Sequence, residues 1–105
     1  MADFMKMLQQ AQEMQGRLQQ MQQELENKIV SASSGGGMVT VDSDGKGQVR
    51  AIRIDPAVVK AEDVEMLEDL VLAAVSEAQK RAAEMAQEEM QKLTGGLSLP
   101  FRLPI

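Results

Sequence analysis

Acidic residues supply the one pattern in this sequence that is close to a known ligand site. Residues 42–47 place aspartates at the first and third positions of a possible calcium loop and a glycine at the sixth. Such a loop also needs an oxygen ligand at its fifth position and a glutamate at its twelfth. Lys46 and Arg53 occupy those two positions instead. We therefore interpret residues 42–47 as a hairpin turn.

Two further patterns have ordinary structural explanations. Five acidic residues fall within residues 62–69, and the dipole of a helix favours acids in its first turns. Gly35, Gly36 and Gly37 could approach a phosphate closely, but no Gly-Lys-Ser/Thr follows them. The residues after them read as a strand, so no helix N-terminus faces that position. A flexible turn is the better interpretation.

The chain contains neither histidine nor cysteine. These are the commonest acid/base and nucleophilic groups at neutral pH, and an enzyme would need a site built from carboxylates alone. We expect no enzyme, no metal and no cofactor. The lack of cysteine suits a reducing cytoplasm. The first residues are polar, so the sequence predicts no signal peptide. The apolar run over residues 70–75 is too short to predict a membrane span.

The charge balance argues against simple binding to polyphosphate. Eleven basic residues face 16 acidic residues, for a formal net charge of −5. Only two aromatic residues, Phe4 and Phe101, are present, so base stacking on a single strand is poorly supported. On composition and spacing alone, a nucleic-acid-binding protein and an acidic protein-interaction module both stay open.

The first structural element that the sequence predicts is a helix with one apolar stripe. Between Phe4 and Leu25, apolar residues recur at alternating spacings of three and four, which predicts a helix over residues 4–25 that packs against another helix. A chain of 105 residues buries only about 60 to 70% of its unfolded surface. We therefore expect a homodimer whose seam contains Met7, Met14, Leu18, Met21 and Leu25.

The remaining elements are a sheet and a second helix. β-branched residues separated by turn formers predict strands over residues 28–33, 38–42 and 48–54, and their short connections require antiparallel pairing. Helical spacing resumes from about residue 63 to 93, after a possible single turn around residues 57–60. This is an α+β fold: helix, three-stranded antiparallel meander, helix. We expect one domain over residues 1–94 and an extended tail over residues 95–105.

Several segments, in this order, carry a family resemblance. They are the Gln/Met-rich first helix, the glycine turn leading into a V-x-V strand, Ile52-Arg53-Ile54-Asp55-Pro56, the block Glu65-Met66-Leu67-Glu68-Asp69-Leu70-Val71, and a Leu-Pro-containing tail after Gly95-Gly96. The set spans nearly the whole chain. It resembles the YbaB/EbfC family of bacterial nucleoid-associated proteins.

The resemblance implies an α-β-β-β-α fold in an intertwined, tweezer-like homodimer. It also implies binding to double-stranded DNA with little sequence preference, in nucleoid organisation, gene regulation or DNA repair, within the cytoplasm and nucleoid. Recombination or repair proteins are possible partners. The family places DNA contacts on its two long helices, which here implies Lys6, Arg17, Lys80 and Arg81.

Overall fold

The computed structural model describes residues 2–95, with side chains described for residues 2–93. Two long helices flank three strands, in the order α1 (Ala2–Asn27), β1 (Ile29–Ser34), β2 (Val39–Asp44), β3 (Val49–Ile54) and α2 (Val64–Gly95). This arrangement confirms the predicted helix–meander–helix fold. The predicted tail over residues 95–105 lies, beyond Gly95, outside the described residues.

The sheet is a meander in the order β1-β2-β3, with both strand pairs antiparallel. In the first pair Ala32 faces Val41, and in the second Val41 faces Ile52. Gly35 has a φ of 59° in the first turn, a left-handed conformation that glycine adopts without steric cost.

The second hairpin turn is shorter than the sequence predicts. We expected β2 to end at Asp42, but the strand continues to Asp44, and Ser43 and Asp44 are both buried. The register shifts between Asp42, which faces Ala51, and Ser43, which faces Val49, so the extra residue at this bulge belongs to β3. The Asp44 carboxylate accepts hydrogen bonds from the backbone N–H groups of Lys46 and Gln48. Both of these bonds go to Oδ1, and Arg50 Nε donates to Oδ2 at 3.0 Å, so both oxygens of this buried carboxylate have partners.

The connection from β3 to α2 contains two short 3-10 turns, Pro56–Val58 and Ala61–Asp63. The sequence predicted one turn, around residues 57–60. The Asp55 carboxylate caps the first turn by accepting a hydrogen bond from the backbone N–H of Ala57 at 2.9 Å. Proline at the first position of this turn lacks the N–H that would otherwise need a partner.

The core forms between α2 and one face of β1 and β2. Alanines at helical spacing on α2, Ala74 and Ala78, are fully buried against Ala32, Val39 and Val41. Their small side chains bring the helix close to the sheet. β3 is covered much less, and Ile52 and Ile54 stay 45% and 38% exposed.

α1 runs antiparallel to the second half of α2 and then projects past its end. Leu25 and Met85 both lie against Gly45, whereas Arg17 and Met21 share a cleft with Leu93. α2 ends at Gly95, so the first 15 residues of α1 continue for about 23 Å at 1.5 Å per residue. The radius of gyration is 19.9 Å, against about 13 Å for a compact domain of this length.

Candidate nucleic-acid interface

Ion pairing divides the basic residues into two groups. Among the ten lysines and arginines of the described residues, six form ion pairs: Lys28, Lys46, Arg50, Arg53, Arg81 and Lys92. Within residues 2–93 no ion pair involves the other four, which are Lys6, Arg17, Lys60 and Lys80. Three of those four belong to the set that the sequence resemblance implied for DNA contact.

The sheet face away from α2, here called the outer face, has its charges neutralised. The Arg53 guanidinium donates two hydrogen bonds to the Asp42 carboxylate at 2.8 and 3.0 Å, and the Ser31 hydroxyl donates a third at 2.6 Å. The bonds from Arg53 and Ser31 lower the pKa of Asp42 from 3.8 to about 2. The outer face therefore offers a phosphate little free positive charge.

Asp44 neutralises a second arginine. Burial alone would raise the pKa of the Asp44 carboxyl, but hydrogen bonds from the backbone of Gln48 and Lys46 and from Arg50 outweigh it, and the pKa is lowered. Arg50 contacts the same carboxylate at 2.8 Å. Both aspartates of the rejected calcium loop are thus occupied by arginines, which agrees with the hairpin interpretation.

A third set of charges ties the end of α1 to α2. The Lys28 ammonium lies 2.8 Å from the Glu89 carboxylate, and Lys92 lies 3.7 Å from it. The hydrogen bond between Lys28 and Glu89 raises the pKa of Lys28 and lowers the pKa of Glu89. These two lysines support the packing of the helices rather than presenting free charge.

Lys6 and Arg17 lie on one side of α1. They are 11 residues apart, which at 100° per residue is three turns plus about 20°, and about 17 Å along the axis. Arg17 also lines the cleft between the helices, beside Gln20 and Lys92. The two cations thus form a row parallel to the helix axis.

Lys80 and Arg81 differ although they are adjacent. The Arg81 guanidinium donates a hydrogen bond to the backbone oxygen of Ser31 at 2.7 Å and lies 3.3 Å from Glu77. Lys80 is exposed and points away from the buried Ala78 and Ala82 by helical geometry. Arg81 therefore fastens α2 to β1, a contact that no sequence pattern reveals.

The four candidate residues do not form one cluster within a subunit. Lys6 lies near the free end of α1, whereas Lys80 lies beside the sheet, about 39 Å away along the long axis by helix rise. That separation is somewhat longer than one turn of B-form DNA, about 34 Å. The arrangement is an elongated track rather than a pocket.

The predicted dimer seam divides into two halves. Met21 and Leu25 are buried within the chain, Met14 and Leu18 are half-buried, and Met7 is 66% exposed. The inner half of the seam therefore packs within the subunit. The role of the five seam residues in a dimer stays a prediction.

A second apolar surface was missed by the sequence analysis. A groove of about 500 Å³, here called the β3–α2 groove, is lined by Ile54 on β3 and by Leu67, Glu68, Val71, Leu72 and Val75 on α2. Leu72 is 66% exposed there. Isoleucines alternate with Arg53 on β3, which signals an apolar face, but sequence alone does not show that α2 leaves that face uncovered.

No group of three or more potential metal ligands gathers within residues 2–93. Over the same part of the chain, neither long helix combines the length and apolar character that a membrane span requires.

Comparison with known proteins gives one consistent family. The model of the YbaB/EbfC DNA-binding family matches residues 1–97. A nucleoid-associated protein of Gemmatimonas aurantiaca is 55% identical over 102 residues, covering 97% of this chain and 98% of that protein. A nucleoid-associated protein of Desulfotalea psychrophila is 44% identical over 98 residues, covering 93% and 92%.

A solved structure shares the fold. The crystal structure of an uncharacterized protein from Helicobacter pylori aligns with a TM-score of 0.79 over 88% of this chain and 97% of its own, at 24% identity. The helix–meander–helix arrangement is therefore found in an experimental structure.

Proposed function

Because the chain belongs to the YbaB/EbfC DNA-binding family, we propose that it binds the backbone of double-stranded DNA as a homodimer in the bacterial nucleoid. The family consists of DNA-binding proteins rather than enzymes. The observation that carries the proposal is the set of unpaired cations on the two long helices. Lys6, Arg17 and Lys80 make no ion pair within the described residues, whereas the cations of the sheet do.

Contacts from these cations would go to phosphates rather than to bases. Lysine and arginine on an elongated surface reach phosphate oxygens, which fix position but carry no sequence information. Three cations from each of two subunits would neutralise about six phosphates. Binding would then be sequence-tolerant, strongly salt-dependent and micromolar or weaker at physiological salt. Such binding suits a role in nucleoid organisation, gene regulation or DNA repair.

The net charge of −5 does not prevent this binding. Charges further than about 10 Å away are largely screened at ordinary ionic strength. The potential that a phosphate meets therefore depends on the nearby helix face rather than on the total. On α1, Lys6 and Arg17 share one face with Glu13, but within the described residues no ion pair ties either cation to a carboxylate.

The homodimer would form through the β3–α2 groove. Ile54 and Leu72 line it and are exposed, and the exposed Ile52 lies on the same face of β3 as Ile54. Apolar surfaces of this kind commonly mark protein interfaces. A second copy could bring the same surface to face it, as two-fold symmetry requires. The helices of the two subunits would then project from a common base and contact DNA together.

Charge reversal tests the proposed DNA contact. Lys80→Glu should weaken binding to several unrelated duplexes alike, and the slope of log K against log salt should fall by about two, one unit per subunit. Lys60→Glu is the matched control, because Lys60 is also exposed and unpaired within the described residues but lies off the long helices. Equal losses in both variants, or loss on one sequence only, would contradict the proposed track in an anisotropy titration.

An acidic hollow favours a second candidate function. Asp63, Glu65 and Asp69 line an open hollow at the start of α2, and a basic protein segment could bind there. The chain would then be an interaction module or a repair-complex subunit without direct DNA contact. Absence of DNA binding at low salt by a correctly folded protein would favour this candidate over the first.

A further inference from the structure

The projecting part of α1 carries an apolar stripe that the described residues cover only in part. The stripe consists of Phe4, Met7, Leu8, Met14 and Leu18, of which Met14 and Leu18 are half-buried. Phe4 and Met7 are 61% and 66% exposed, and Leu8 is 48% exposed. In proteins, a helix gains most of its stability by packing its apolar face against another part of the structure. The exposed residues of the stripe, Phe4, Met7 and Leu8, lack such a packing partner among the described residues.

The stripe begins where α2 ends. Arg17 and Met21 lie beside Leu93 across the cleft between the helices, and α2 ends two residues later, at Gly95. From Leu18 to Phe4 the stripe then runs on for about 21 Å. The chain that follows α2 therefore starts next to one end of the stripe.

The sequence after Gly96 has the pattern that such a stripe requires. Apolar residues occupy every second position: Leu97, Leu99, Phe101, Leu103 and Ile105. In an extended chain alternate side chains fall on one side, so these five would share a face. Pro100 and Pro104 disfavour a helix and remove backbone donors that a strand partner would need. Such a segment would bind through its side chains.

Length and attachment favour the chain's own segment as the occupant. Ten residues follow Gly95, and they reach at most about 33 Å when extended, which exceeds the 21 Å of the stripe. A covalently attached segment also has a millimolar effective concentration at a site within reach. The β3–α2 groove lies on the first half of α2, between about 30 and 42 Å back along the helix from Gly95, so the start of the stripe is much nearer to the segment than the groove is.

We propose that residues 97–105 dock along the stripe of their own α1. The alternate apolar side chains cover Met7, Met14 and Leu18, and the segment packs along the part of α1 that projects beyond α2. This inference does not depend on DNA binding. It predicts that the end of the chain supports the helix that carries Lys6 and Arg17.

Methionine oxidation by hydrogen peroxide tests the docking in the full-length protein. Met5 and Met7 are similarly exposed, at 68% and 66%, but Met5 points away from the stripe by helical geometry. Docking should make oxidation of Met7 several-fold slower than that of Met5, measured by peptide mass spectrometry. Phe101→Asp should abolish the difference.

Ser98→Asp is the matched control, because it adds the same charge at a position between the apolar ones. It should keep Met7 protected. Slow oxidation of the buried Met21 and an unchanged circular dichroism spectrum would show that each variant stays folded. Equal oxidation of Met5 and Met7 in the unmodified protein would overturn the proposal. Protection that survives Phe101→Asp would also overturn it and assign the stripe to a second copy.

Isotope labelling separates docking within a chain from exchange between subunits. An equimolar mixture of ¹⁵N-labelled unmodified protein and unlabelled Phe101→Asp protein is denatured, refolded together and then oxidised. Docking within each chain predicts a protected Met7 in the labelled chain only. Intermediate protection in both chains would overturn docking onto the chain's own helix.

Discussion

At the scale of residues, Asp42 is the centre of a small network on the outer face of the sheet. It binds Arg53 through two hydrogen bonds and accepts a third from Ser31. The network joins all three strands, since Ser31, Asp42 and Arg53 lie on β1, β2 and β3. Its charges are used within the subunit, so Arg53 is not among the unpaired cations, whereas Lys6, Arg17 and Lys80 on the long helices are.

This network makes stability depend on pH in the acidic range. The folded-state pKa of Asp42 is about 2, below its ordinary 3.8. The carboxylate therefore stabilises the fold above about pH 4, and that contribution is lost as the pH falls towards 2. Asp42→Asn should lower the urea midpoint at pH 6, and its difference from the unmodified protein should shrink towards pH 2. A difference that stays constant over this range would contradict the role assigned to the ion pair.

Pairing of charges is the feature of the site that sequence could not supply. Lys28 forms a hydrogen bond with Glu89, 61 residues away in the sequence, and Arg81 forms one with the backbone of Ser31, 50 residues away. A count of basic residues treats both as free. The family resemblance pointed to Lys6, Arg17, Lys80 and Arg81, but only the fold shows that Arg81 is held by its own subunit.

At the scale of elements, two glycines differ in how closely their surroundings are packed: Gly45 in the second hairpin turn and Gly16 on α1. A Cβ atom on Gly45 would lie 2.8 Å from both a side-chain carbon and the backbone oxygen of Leu25. The Gly45 N–H also donates a hydrogen bond to that oxygen at 2.8 Å. Gly16, on α1, has nothing within 4 Å of the same position.

The same substitution should therefore have opposite effects at the two glycines. Gly45→Ala should destabilise the protein by about 1–3 kcal/mol, because the added methyl group overpacks the junction. Gly16→Ala should stabilise it by about 0.5–1 kcal/mol, because alanine is the better helix former. Urea unfolding measures both. Equal effects would show that the junction between α1 and the turn is looser than described.

Element types followed from the sequence more readily than element packing did. The alternating spacing of apolar residues along α1 predicted the helix, and β-branched runs predicted each strand to within two residues. The same spacing could not show that only Met21 and Leu25 would be covered within the subunit. That depends on where α2 ends relative to α1, which is a property of the assembled fold.

At the scale of the whole molecule, the two open apolar surfaces assign separate roles to the two ends. The β3–α2 groove lies at the sheet end, and the stripe of α1 lies at the projecting end. If the groove forms the dimer, the helices stay free to contact DNA. The chain is long for its mass, with extents of 73 × 25 × 16 Å, which suits contact along a duplex.

Leu72→Asp tests the proposed dimer surface. The unmodified protein should scatter light as a particle of about 23 kDa, twice the 11.5 kDa chain. Leu72→Asp should give the single-chain mass, because a charge would be buried unpaired in the interface. The side chain is 66% exposed in one subunit, so the fold should survive. Gln87→Asp, on the same helix but away from the groove, should remain dimeric. A dimeric Leu72→Asp protein would rule out the groove as the interface.

The salt dependence of DNA binding tests the central claim most directly. Fluorescence anisotropy with several unrelated duplexes between about 50 and 200 mM salt gives the slope of log K against log salt. About six phosphate contacts predict a slope near −5, the same for every sequence. A folded protein that binds no duplex at about 50 mM salt, or binds with a slope near zero, would contradict recognition of the DNA backbone by the helix cations.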